Sequence, residues 1–246
     1  MIIIGIIPAR YGSTRFPGKP LAMIGNKSMI QRVIEQAEQA TMLKEIIVAT
    51  DDERIFRHVT SLGKKVVMTS NQHPSGTDRC LEALTVSGIA ADAVINIQGD
   101  EPFVAPEQID ALAQLISLDE VEIATLAKKI DEIDVLFDPN KVKVVFANNG
   151  RAIYFSRHAI PYQKSIPQEE WLKHQTYYKH LGLYAYKTPV LQAISALPPS
   201  PLEMAESLEQ LRWLESGKSI FVAETAIETP AIDTPSDLEN IIKSMI

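Results

Sequence analysis

The sequence predicts an α/β fold: a doubly wound, mostly parallel sheet with an antiparallel insertion in its second half. Apolar runs that suit buried strands alternate with helical patterns through roughly the first 120 residues. Such alternation is typical of βαβ units, whose parallel strands are joined by right-handed crossovers. After about residue 121, strand-like segments follow one another more closely, and Asn148-Asn149-Gly150 is a strong hairpin signal.

The first half begins with a predicted strand at 2–7, whose apolar residues are nearly uninterrupted, as in a strand covered on both faces. A helix is predicted over 28–40 because its apolar residues share one face. These residues are Met29, Ile30, Val33, Ile34 and Ala37. The other predicted elements are strands at 45–50, 65–69 and 93–98, and helices at 51–61, from a polar loop at 70–77 to about 86, and at 106–118.

The second half is predicted to contain strands at 122–130, 142–147, 152–157, 180–186 and 219–224. Helices are predicted at 188–196, at 203–216 and from Thr234 onward. Residues 158–179 are interpreted as an irregular loop or a dimer-contact segment. In the helix at 203–216, the predicted apolar face consists of Met204, Leu208, Leu211 and Leu214. No linker divides the chain, so we expect one domain over 1–246, with the insertion at about 140–190.

Composition narrows the classes of function. Hydrophobic residues make up 46% of the chain and charged residues 22%, and no apolar stretch is long enough to span a membrane. The start lacks the pattern of a signal peptide, and the single cysteine, Cys80, allows no internal disulfide, so we expect a cytoplasmic protein. A net charge of −7 disfavours nucleic acid as a partner but leaves room for a small anion.

The loop after the first strand carries three cations, Arg10, Arg15 and Lys19, among small and turn-forming residues. Three crowded cations at the end of a strand repel one another unless an anion binds, so the loop predicts a polyphosphate site. It lacks the G-x-G-x-x-G pattern of dinucleotide-binding loops, and its spacing does not fit a Walker A loop. As a loop cation, Lys19 is expected to contribute little to the core.

Two acidic positions are candidate metal ligands. Asp100 follows the strand at 93–98, where open α/β sheets bind ligands, and a carboxylate there suits Mg²⁺ that bridges phosphates. Gly99 is expected to let the backbone approach a ligand closely. Near the other end of the chain, Thr234 and Asp237 form an imperfect capping box that leaves Asp233 unexplained. Asp233 is equally well interpreted as a second metal ligand or as a turn former.

Other polar residues are less specific. Ser75 and Thr77 are candidate helix caps, Arg79 is a candidate for approaching an anion, and His73 is more often a surface residue than a ligand in such a loop. Cys80 is expected to pack as a small hydrophobe. Three residues of the insertion strands have the hydrogen-bonding reach to bind a sugar acid, or are ordinary polar side chains. These residues are Arg157, His180 and Tyr184.

The helix at 203–216 also carries Glu209 and Gln210, which either line a pocket or face solvent. Without a family, solvent is favoured. No Ser-His-Asp, Cys-His or zinc-binding arrangement is recognisable, so a covalent enzyme intermediate is not indicated. If phosphoryl chemistry occurs, we expect the nucleophile to be on the substrate.

Motifs along nearly the whole chain resemble one family, the 3-deoxy-D-manno-octulosonate (Kdo) cytidylyltransferases. The first and fourth of the segments below occur in wider sugar nucleotidyltransferases, while their combination with HLGLYAY and LEQLR is specific. The segments are IIPARYGSTRFPGKPL (7–21), IIVATD (46–51), HPSGTDR (73–79), NIQGDEP (96–102), PNKVKVV (139–145), YFSR (154–157), KHLGLYAY (179–186), PSPLE (199–203), LEQLR (208–212) and IDTPSDLE (232–239).

The resemblance implies a Rossmann-like sheet of the nucleotide-diphospho-sugar transferase type. It implies the coupling of CTP with Kdo to give CMP-Kdo and pyrophosphate for lipopolysaccharide biosynthesis, by a Mg²⁺-dependent, cytoplasmic homodimer with no membrane partner. Catalytic roles then fall to Arg10, Lys19, Asp100 and Asp233, of which Asp100 and Asp233 would hold the metal. The nucleotide would be bound by Arg10, Ser13, Arg15, Lys19, Ser75, Gly76, Thr77 and Arg79. The sugar acid would be bound by Gln98, Arg157, His180, Tyr184, Glu209 and Gln210.

Two alternatives stay open. One is cytidylyl transfer to another acidic sugar, such as sialic acid. The other is a nucleotide sensor without catalysis, which the pairing of Asp100 with Asp233 disfavours because a sensor needs no metal-binding pair. A dehydrogenase is disfavoured because the glycine fingerprint is missing.

Overall fold

Apolar strands alternate with amphipathic helices through the first half of the chain, as predicted. The computed structural model describes residues 1–12, 15–230, 232 and 234–244. The chain divides into two compact units, 1–114 with 229–246, and 115–228. The elements that begin before residue 115 are β1 (Ile3–Ala9), β2 (Met23–Ile24), β3 (Lys27–Ser28), α1 (Met29–Ala37), β4 (Glu45–Thr50), α2 (Glu53–Ser61), β5 (Val66–Met68), α3 (Gly76–Ser87), β6 (Ala93–Asn96) and α4 (Pro106–Ile116).

Strand β1 is central to a parallel sheet in the first unit. It pairs with β4 on one side and β6 on the other, and β5 pairs with the far edge of β4. Ile6 therefore stands opposite both Ile47 of β4 and Asn96 of β6. All four strands run the same way, so their carboxyl ends meet at one edge, which is where open α/β sheets bind ligands.

Helix α1 shows how the local sequence determines an element of this unit. The Ser28 hydroxyl caps it by accepting from the amide of Gln31 at 3.2 Å. The whole predicted apolar face is buried, which contributes about 1.5–3 kcal/mol for each large side chain. The helix ends at Ala37, three residues before the predicted limit at 40.

The second unit is built on antiparallel pairing, as predicted for the insertion. Its elements are β7 (Ile123–Lys129), α5 (Ile133–Phe137), β8 (Lys143–Phe146), β9 (Ala152–Ser156), α6 (Trp171–His174), β10 (Tyr178–Lys187), α7 (Thr188–Ser195), α8 (Pro201–Glu206), α9 (Gln210–Glu215) and β11 (Ile220–Glu224). Strand β10 pairs antiparallel with β7 and β8, β8 with β9, and β11 runs parallel to β7. The predicted hairpin joins β8 to β9, with Gly150 at φ 83°.

The antiparallel region begins earlier than predicted, because it includes β7 as well as the strands between 140 and 190. The final helix, α10 (Pro235–Ser244), belongs to the first unit. It begins with the predicted capping box: the Thr234 amide donates to the Asp237 carboxylate at 2.8 Å, and the Asp237 amide donates to the Thr234 hydroxyl at 3.3 Å. The single domain predicted over 1–246 stays a prediction, because the division into two compact units does not test it.

The segment 158–179 is more ordered than the predicted irregular loop. Helix α6 lies within it, and Trp171 and Tyr177 are almost fully buried in a cluster with Ile130, Leu136 and Ala159. The indole of Trp171 donates to the carbonyl of Ile166 at 3.0 Å, so the polar atom of this large side chain has a partner. The segment therefore supplies core to the second unit.

The single helix predicted at 203–216 is wrong. Ser207 adopts a left-handed conformation (φ 52°, ψ 50°), which ends α8 and separates it from α9. Consequently Met204 does not share the buried face of Leu208 and Leu211, and it is 66% exposed. Helical periodicity alone missed the break because it does not register a single left-handed residue.

Candidate active site

The cationic loop leaves the carboxyl end of β1 and returns to the fold at a 3-10 turn, Lys19–Leu21. Gly18 closes the loop by donating its amide to the Tyr11 carbonyl at 2.9 Å, with φ at 73°. A Cβ on Gly18 would lie 3.0 Å from the Tyr11 ring. A glycine is therefore needed both for the backbone angle and for the space. Ser13, a predicted nucleotide ligand, lies outside the described residues.

A cavity of about 230 Å³ opens at this edge of the first unit. It brings together most of the predicted nucleotide and metal ligands of that unit. Its lining consists of Pro8, Ala9, Arg10, Arg15, Lys19, Pro20, His73, Pro74, Ser75, Gly76, Arg79, Gln98, Gly99 and Asp100. Thr77, a predicted nucleotide ligand, is not part of the lining, and it is buried in the first turn of α3 with 2% exposure.

Lys19 and Asp100 form an ion pair in this cavity. The Lys19 ammonium donates to a carboxylate oxygen of Asp100 at 2.6 Å and to the carbonyl of Ile232 at 2.8 Å. Lys19 is 8% exposed, so its aliphatic stem is part of the packed interior, contrary to the expectation that it contributes little to the core. The Asp100 side chain is 36% exposed and can reach a ligand.

The Asp100 backbone also contacts the carboxyl-terminal segment, because the amide of Ile232 donates to its carbonyl at 3.2 Å. Ile232 is fully buried in a cluster with Ile24 and Met29. Asp233, the second predicted metal ligand, follows Ile232 in the chain and lies outside the described residues.

Gly99 is required by the protein's own backbone. A Cβ at this position would lie 2.5 Å from the carbonyl oxygen of Pro8, a distance that backbone atoms do not tolerate. The close approach predicted for a ligand is therefore made by the end of β1. This contact holds the loop that carries Arg10 against the loop that carries Asp100.

The loop before α3 provides another wall of the cavity. Ser75 caps α3: its hydroxyl accepts from the Asp78 amide at 3.2 Å and donates to the Asp78 carboxylate at 2.8 Å. His73 lines the cavity, and its imidazole is hydrogen-bonded to the carboxylate of Glu82. Burial alone would raise the pKa of Glu82, but the hydrogen bonds from His73 and from the Ser70 amide outweigh it, and the pKa is lowered. Cys80 is fully buried, as predicted.

Arg79 has structural partners, although it lines the cavity. Its guanidinium donates to Asp51 at 2.7 Å and to the Thr69 hydroxyl at 2.6 Å, and the residue is only 3% exposed. The charge of Arg79 is thus balanced by Asp51, which follows β4. A direct contact between Arg79 and an anion stays a prediction.

The second unit carries five of the predicted sugar ligands. Arg157 donates to three carbonyl oxygens: Glu206 at 2.6 Å, Pro139 at 3.1 Å and Ser207 at 3.2 Å. No carboxylate among the described residues forms an ion pair with it, so the guanidinium is fixed in place while its charge stays available to an anion.

Two residues that the sequence analysis missed hold Arg157. Lys143 is fully buried, and its ammonium donates to the carbonyls of Asp138 at 2.9 Å, Lys141 at 2.6 Å and Arg157 at 2.5 Å. Burial lowers the pKa of Lys143. The Glu206 carboxylate accepts from the Arg157 amide at 2.8 Å and from the Ser156 hydroxyl at 2.7 Å. The sequence feature that could have drawn attention to Lys143 is the presence of a lysine within the apolar run at 142–146.

His180 and Tyr184 are neighbours on β10, with ring centroids 5.3 Å apart. Burial lowers the pKa of His180 to about 3, so the imidazole is neutral near pH 7. Burial, with the nearby Glu209 carboxylate, raises the pKa of Tyr184 well above its ordinary value. The Tyr184 hydroxyl oxygen is buried without a hydrogen bond of good geometry, although the Thr125 hydroxyl lies close enough to oppose the rise in its pKa.

Glu209 and Gln210 begin α9. Gln210 is 5% exposed, so the preference for a solvent-facing side chain is wrong for this residue. The break at Ser207 changes the direction of the chain and turns Gln210 inward. The Glu209 side chain is 27% exposed, which leaves it intermediate between the two interpretations.

Metal binding by protein groups alone has no support in the described part of the chain, where no group of three or more His, Cys, Asp or Glu residues could hold an ion. Nor does any helix within these ranges have the length and apolar character to cross a bilayer.

Comparisons with known proteins identify the family of this chain. The family model described as cytidylyltransferase matches residues 4–220. A 3-deoxy-manno-octulosonate cytidylyltransferase from Cytophaga hutchinsonii is 55% identical over 237 residues, covering 96% of this chain and 94% of that protein. A protein of the same name from Bacteroides thetaiotaomicron is also 55% identical, over 98% of this chain and 96% of its own length.

A solved structure has the same fold over its whole length. It is CMP:2-keto-3-deoxy-manno-octonic acid synthetase complexed with CTP, which aligns with a TM-score of 0.92 and 43% identity over 100% of this chain and 98% of that one. The match covers both units, so it includes the cavity and the insertion. The chain therefore belongs to the cytidylyltransferase family and, within it, to the 3-deoxy-manno-octulosonate cytidylyltransferases.

Proposed function

We propose that this protein transfers CMP from CTP to the anomeric hydroxyl of Kdo, releasing pyrophosphate. The observation that carries the proposal is the cavity at the carboxyl edge of the parallel sheet, whose lining includes the three cations Arg10, Arg15 and Lys19 together with Asp100. Cations suit a triphosphate, and a carboxylate beside them suits the metal that accompanies it.

The main physical obstacle is the repulsion between two anions. The sugar acid carries a carboxylate and CTP carries several charges, and two unit charges at 4 Å repel by about 4 kcal/mol if the effective dielectric constant is near 20. Arg10 and Arg15 offset this by binding the triphosphate. Lys19 lies beside Asp100, from where it can stabilise charge that develops on the α-phosphate and on the departing pyrophosphate.

Mg²⁺ fits the residues at this site. The Asp100 carboxylate is partly exposed, and the Asp100 carbonyl accepts from the amide of Ile232 at 3.2 Å, so the carboxyl-terminal segment reaches this site. Mg²⁺ normally takes only one or two carboxylates and completes its shell with water and phosphate oxygens. When bound, it would neutralise phosphate charge and favour deprotonation of the attacking hydroxyl.

With these charges offset, the remaining task of the protein is to position the two substrates. The anomeric oxygen of the sugar forms a bond to the α-phosphorus as the bond to the pyrophosphate oxygen breaks. We assign Gln98, Arg157, His180, Tyr184, Glu209 and Gln210 to the sugar acid. Support for Arg157 comes from its fixed guanidinium without a carboxylate partner, and support for Tyr184 from a buried hydroxyl that lacks a hydrogen bond of good geometry.

A panel of sugar acids tests the proposal. Each is mixed with CTP, Mg²⁺ and the purified protein, and pyrophosphate release is measured. Kdo is expected to give the highest kcat/KM. A preference for sialic acid would replace Kdo with another acidic sugar, and CTP binding without pyrophosphate release for any acid would establish a nucleotide sensor.

The pathway, the compartment and the oligomeric state are proposed from what is typical of the family. The product supplies lipopolysaccharide assembly, and the protein works in the cytoplasm as a homodimer. Light scattering coupled to gel filtration tests the last point: a mass near twice the 27.3 kDa of the chain is expected, and 27.3 kDa at micromolar concentration would exclude the homodimer.

A further inference from the structure

Thr125 of β7 is a fully buried polar residue to which the sequence analysis assigned no role. Its hydroxyl oxygen lies 3.0 Å from Nε2 of His180. The same hydroxyl is placed to donate to the carbonyl of Leu183, at 2.8 Å, or to that of Leu181, at 3.2 Å. One hydroxyl thus contacts both the imidazole and the backbone of the neighbouring strand.

The backbone contacts arise from an irregularity in β10. Its pairing with β7 shifts between Leu181 and Tyr184, so regular ladder bonds are interrupted there. Carbonyl groups at such a bulge need other donors, since a buried carbonyl without a donor destabilises the fold. The Thr125 hydroxyl supplies its single hydrogen to this bulge, and the shortest contact is with Leu183.

A hydroxyl that donates to Leu183 can only accept from His180. The imidazole is neutral near pH 7, because burial lowers its pKa to about 3, so it carries one hydrogen. That hydrogen is therefore on Nε2, where it faces the Thr125 oxygen, and Nδ1 is left as an acceptor. Nδ1 has no hydrogen-bond partner among the described residues.

The ring around this acceptor is held by packing. Phe155 meets the imidazole edge-on at 5.0 Å between centroids, and Tyr184 lies at 5.3 Å with a buried hydroxyl close to that of Thr125. A phenol hydroxyl and an imidazole acceptor side by side are suited to a polyhydroxylated ligand, whose OH groups both donate and accept.

We propose that Thr125 is a positioning residue that locks His180 in the Nε2-protonated tautomer, so that Nδ1 accepts a hydrogen bond from a hydroxyl of the acidic sugar. The proposal rests on the assignment of His180 to the sugar under the proposed function. Its structural half, the tautomer, does not depend on which sugar is used.

The tautomer is measured directly in the protein without substrates. Long-range ¹H–¹⁵N correlation spectra of ¹⁵N-histidine-labelled protein at about pH 7.5 distinguish Nε2–H from Nδ1–H in each of the five histidines. His180→Gln assigns the relevant signals. We expect Nε2–H for His180 in the wild type and in Thr125→Ser, and a shift toward Nδ1–H or a mixture in Thr125→Val, which keeps the shape and removes the hydroxyl.

Kinetics test the second half. Thr125→Val is expected to raise KM for the sugar acid about tenfold while KM for CTP changes less than about twofold, and Thr125→Ser is expected to restore the wild-type value. A wild-type Nδ1–H tautomer would overturn the proposal, as would an unchanged sugar KM in a Thr125→Val protein with an altered tautomer. If Thr125→Val does not fold, the wild-type and Thr125→Ser spectra decide. Failure of Kdo as a substrate with an Nε2–H spectrum would count against the proposed function and leave the tautomer lock standing.

Discussion

The ammonium of Lys19 lies 2.6 Å from a carboxylate oxygen of Asp100, although the two residues are 81 positions apart in the chain. The contact joins the loop after β1 to the loop after β6, which are adjacent because these strands are neighbours in the parallel sheet. The pair keeps a cation and an anion within one cavity, and both charges are available for exchange with phosphate and metal. Substitutions of the two residues are therefore expected to have different effects.

Asp100→Asn is expected to lower Mg²⁺-dependent turnover at least about 100-fold, because the amide loses the charge that holds the metal and balances Lys19. The fold should survive, since the Asp100 side chain is 36% exposed. Pyrophosphate release and thermal melting are the measurements. Asp119→Asn, at an exposed position outside the cavity, is the control and should match the wild type. Near-normal turnover of Asp100→Asn would remove Asp100 from the metal site.

Lys19→Met keeps the buried stem of the side chain and removes its charge. We expect a large loss of kcat, with a loss of about 1–2 kcal/mol in the free energy of unfolding, because the ammonium has two buried or partly buried acceptors. Urea unfolding and steady-state kinetics measure the two effects. Lys27→Met breaks the Lys27–Glu35 pair, whose side chains are 38% and 35% exposed, and should change stability by less than about 0.5 kcal/mol. Normal kcat with a collapsed melting temperature would contradict a role for Lys19 in chemistry.

The pair of Arg79 and Asp51 is expected to contribute chiefly to stability. Their side chains are 4% and 14% exposed, so Asp51→Asn leaves a buried guanidinium without its counter-charge and should cost about 3 kcal/mol. A double-mutant cycle with Arg79→Met, followed by urea unfolding, should give a coupling energy above about 1 kcal/mol. The Lys64–Glu38 pair, with side chains 34% and 40% exposed, is the surface control. Additive effects at Arg79 and Asp51 would show that the pair is not a structural unit.

The lowered pKa of His180 predicts how the free energy of unfolding depends on pH. Its pKa is about 3 in the folded protein and 6.5 in an unfolded chain, so between these values the unfolded chain binds a proton that the folded protein does not. The free energy of unfolding therefore carries the full contribution of the neutral imidazole above pH 6.5, and this contribution is lost as the pH falls toward 3. Between pH 7 and about 4.5, the wild type should lose on the order of 2 kcal/mol more than His180→Gln. His174→Gln, whose side chain in the wild type is 51% exposed, should lose as much as the wild type. Parallel pH profiles for the wild type and His180→Gln in urea unfolding would refute a buried neutral imidazole.

Most strands and helices were predictable from sequence because apolar residues recur with the period of a strand or of a helix, or form a continuous run in a strand covered on both faces. The continuous apolar run of β1 and the one-sided face of α1 are examples. The capping box at Thr234 and Asp237 was equally local, since both hydrogen bonds join residues three apart. The break at Ser207 escaped prediction because one left-handed residue leaves the hydrophobic period of its neighbours unchanged.

The candidate site was predictable only as a set of residue types. The cations of the first loop and the acidic end of β6 were identified from spacing, and motifs shared with the family supplied the sugar ligands. Ser13 and Asp233 stay predictions. Arg79 shows the limit of this approach, because its sequence neighbours do not reveal that Asp51 already balances its charge.

By itself, the sequence determined the α/β class, the family and the residues that can bind phosphate, because these depend on local patterns and on motifs read in order. Only the tertiary structure decided which charges are compensated and which are free. Lys143 is surrounded by three carbonyls, Thr125 lies against His180, and Pro8 leaves no room for a Cβ at Gly99. These contacts join residues whose environments arise from strand pairing and burial, and no local pattern encodes the distance between them.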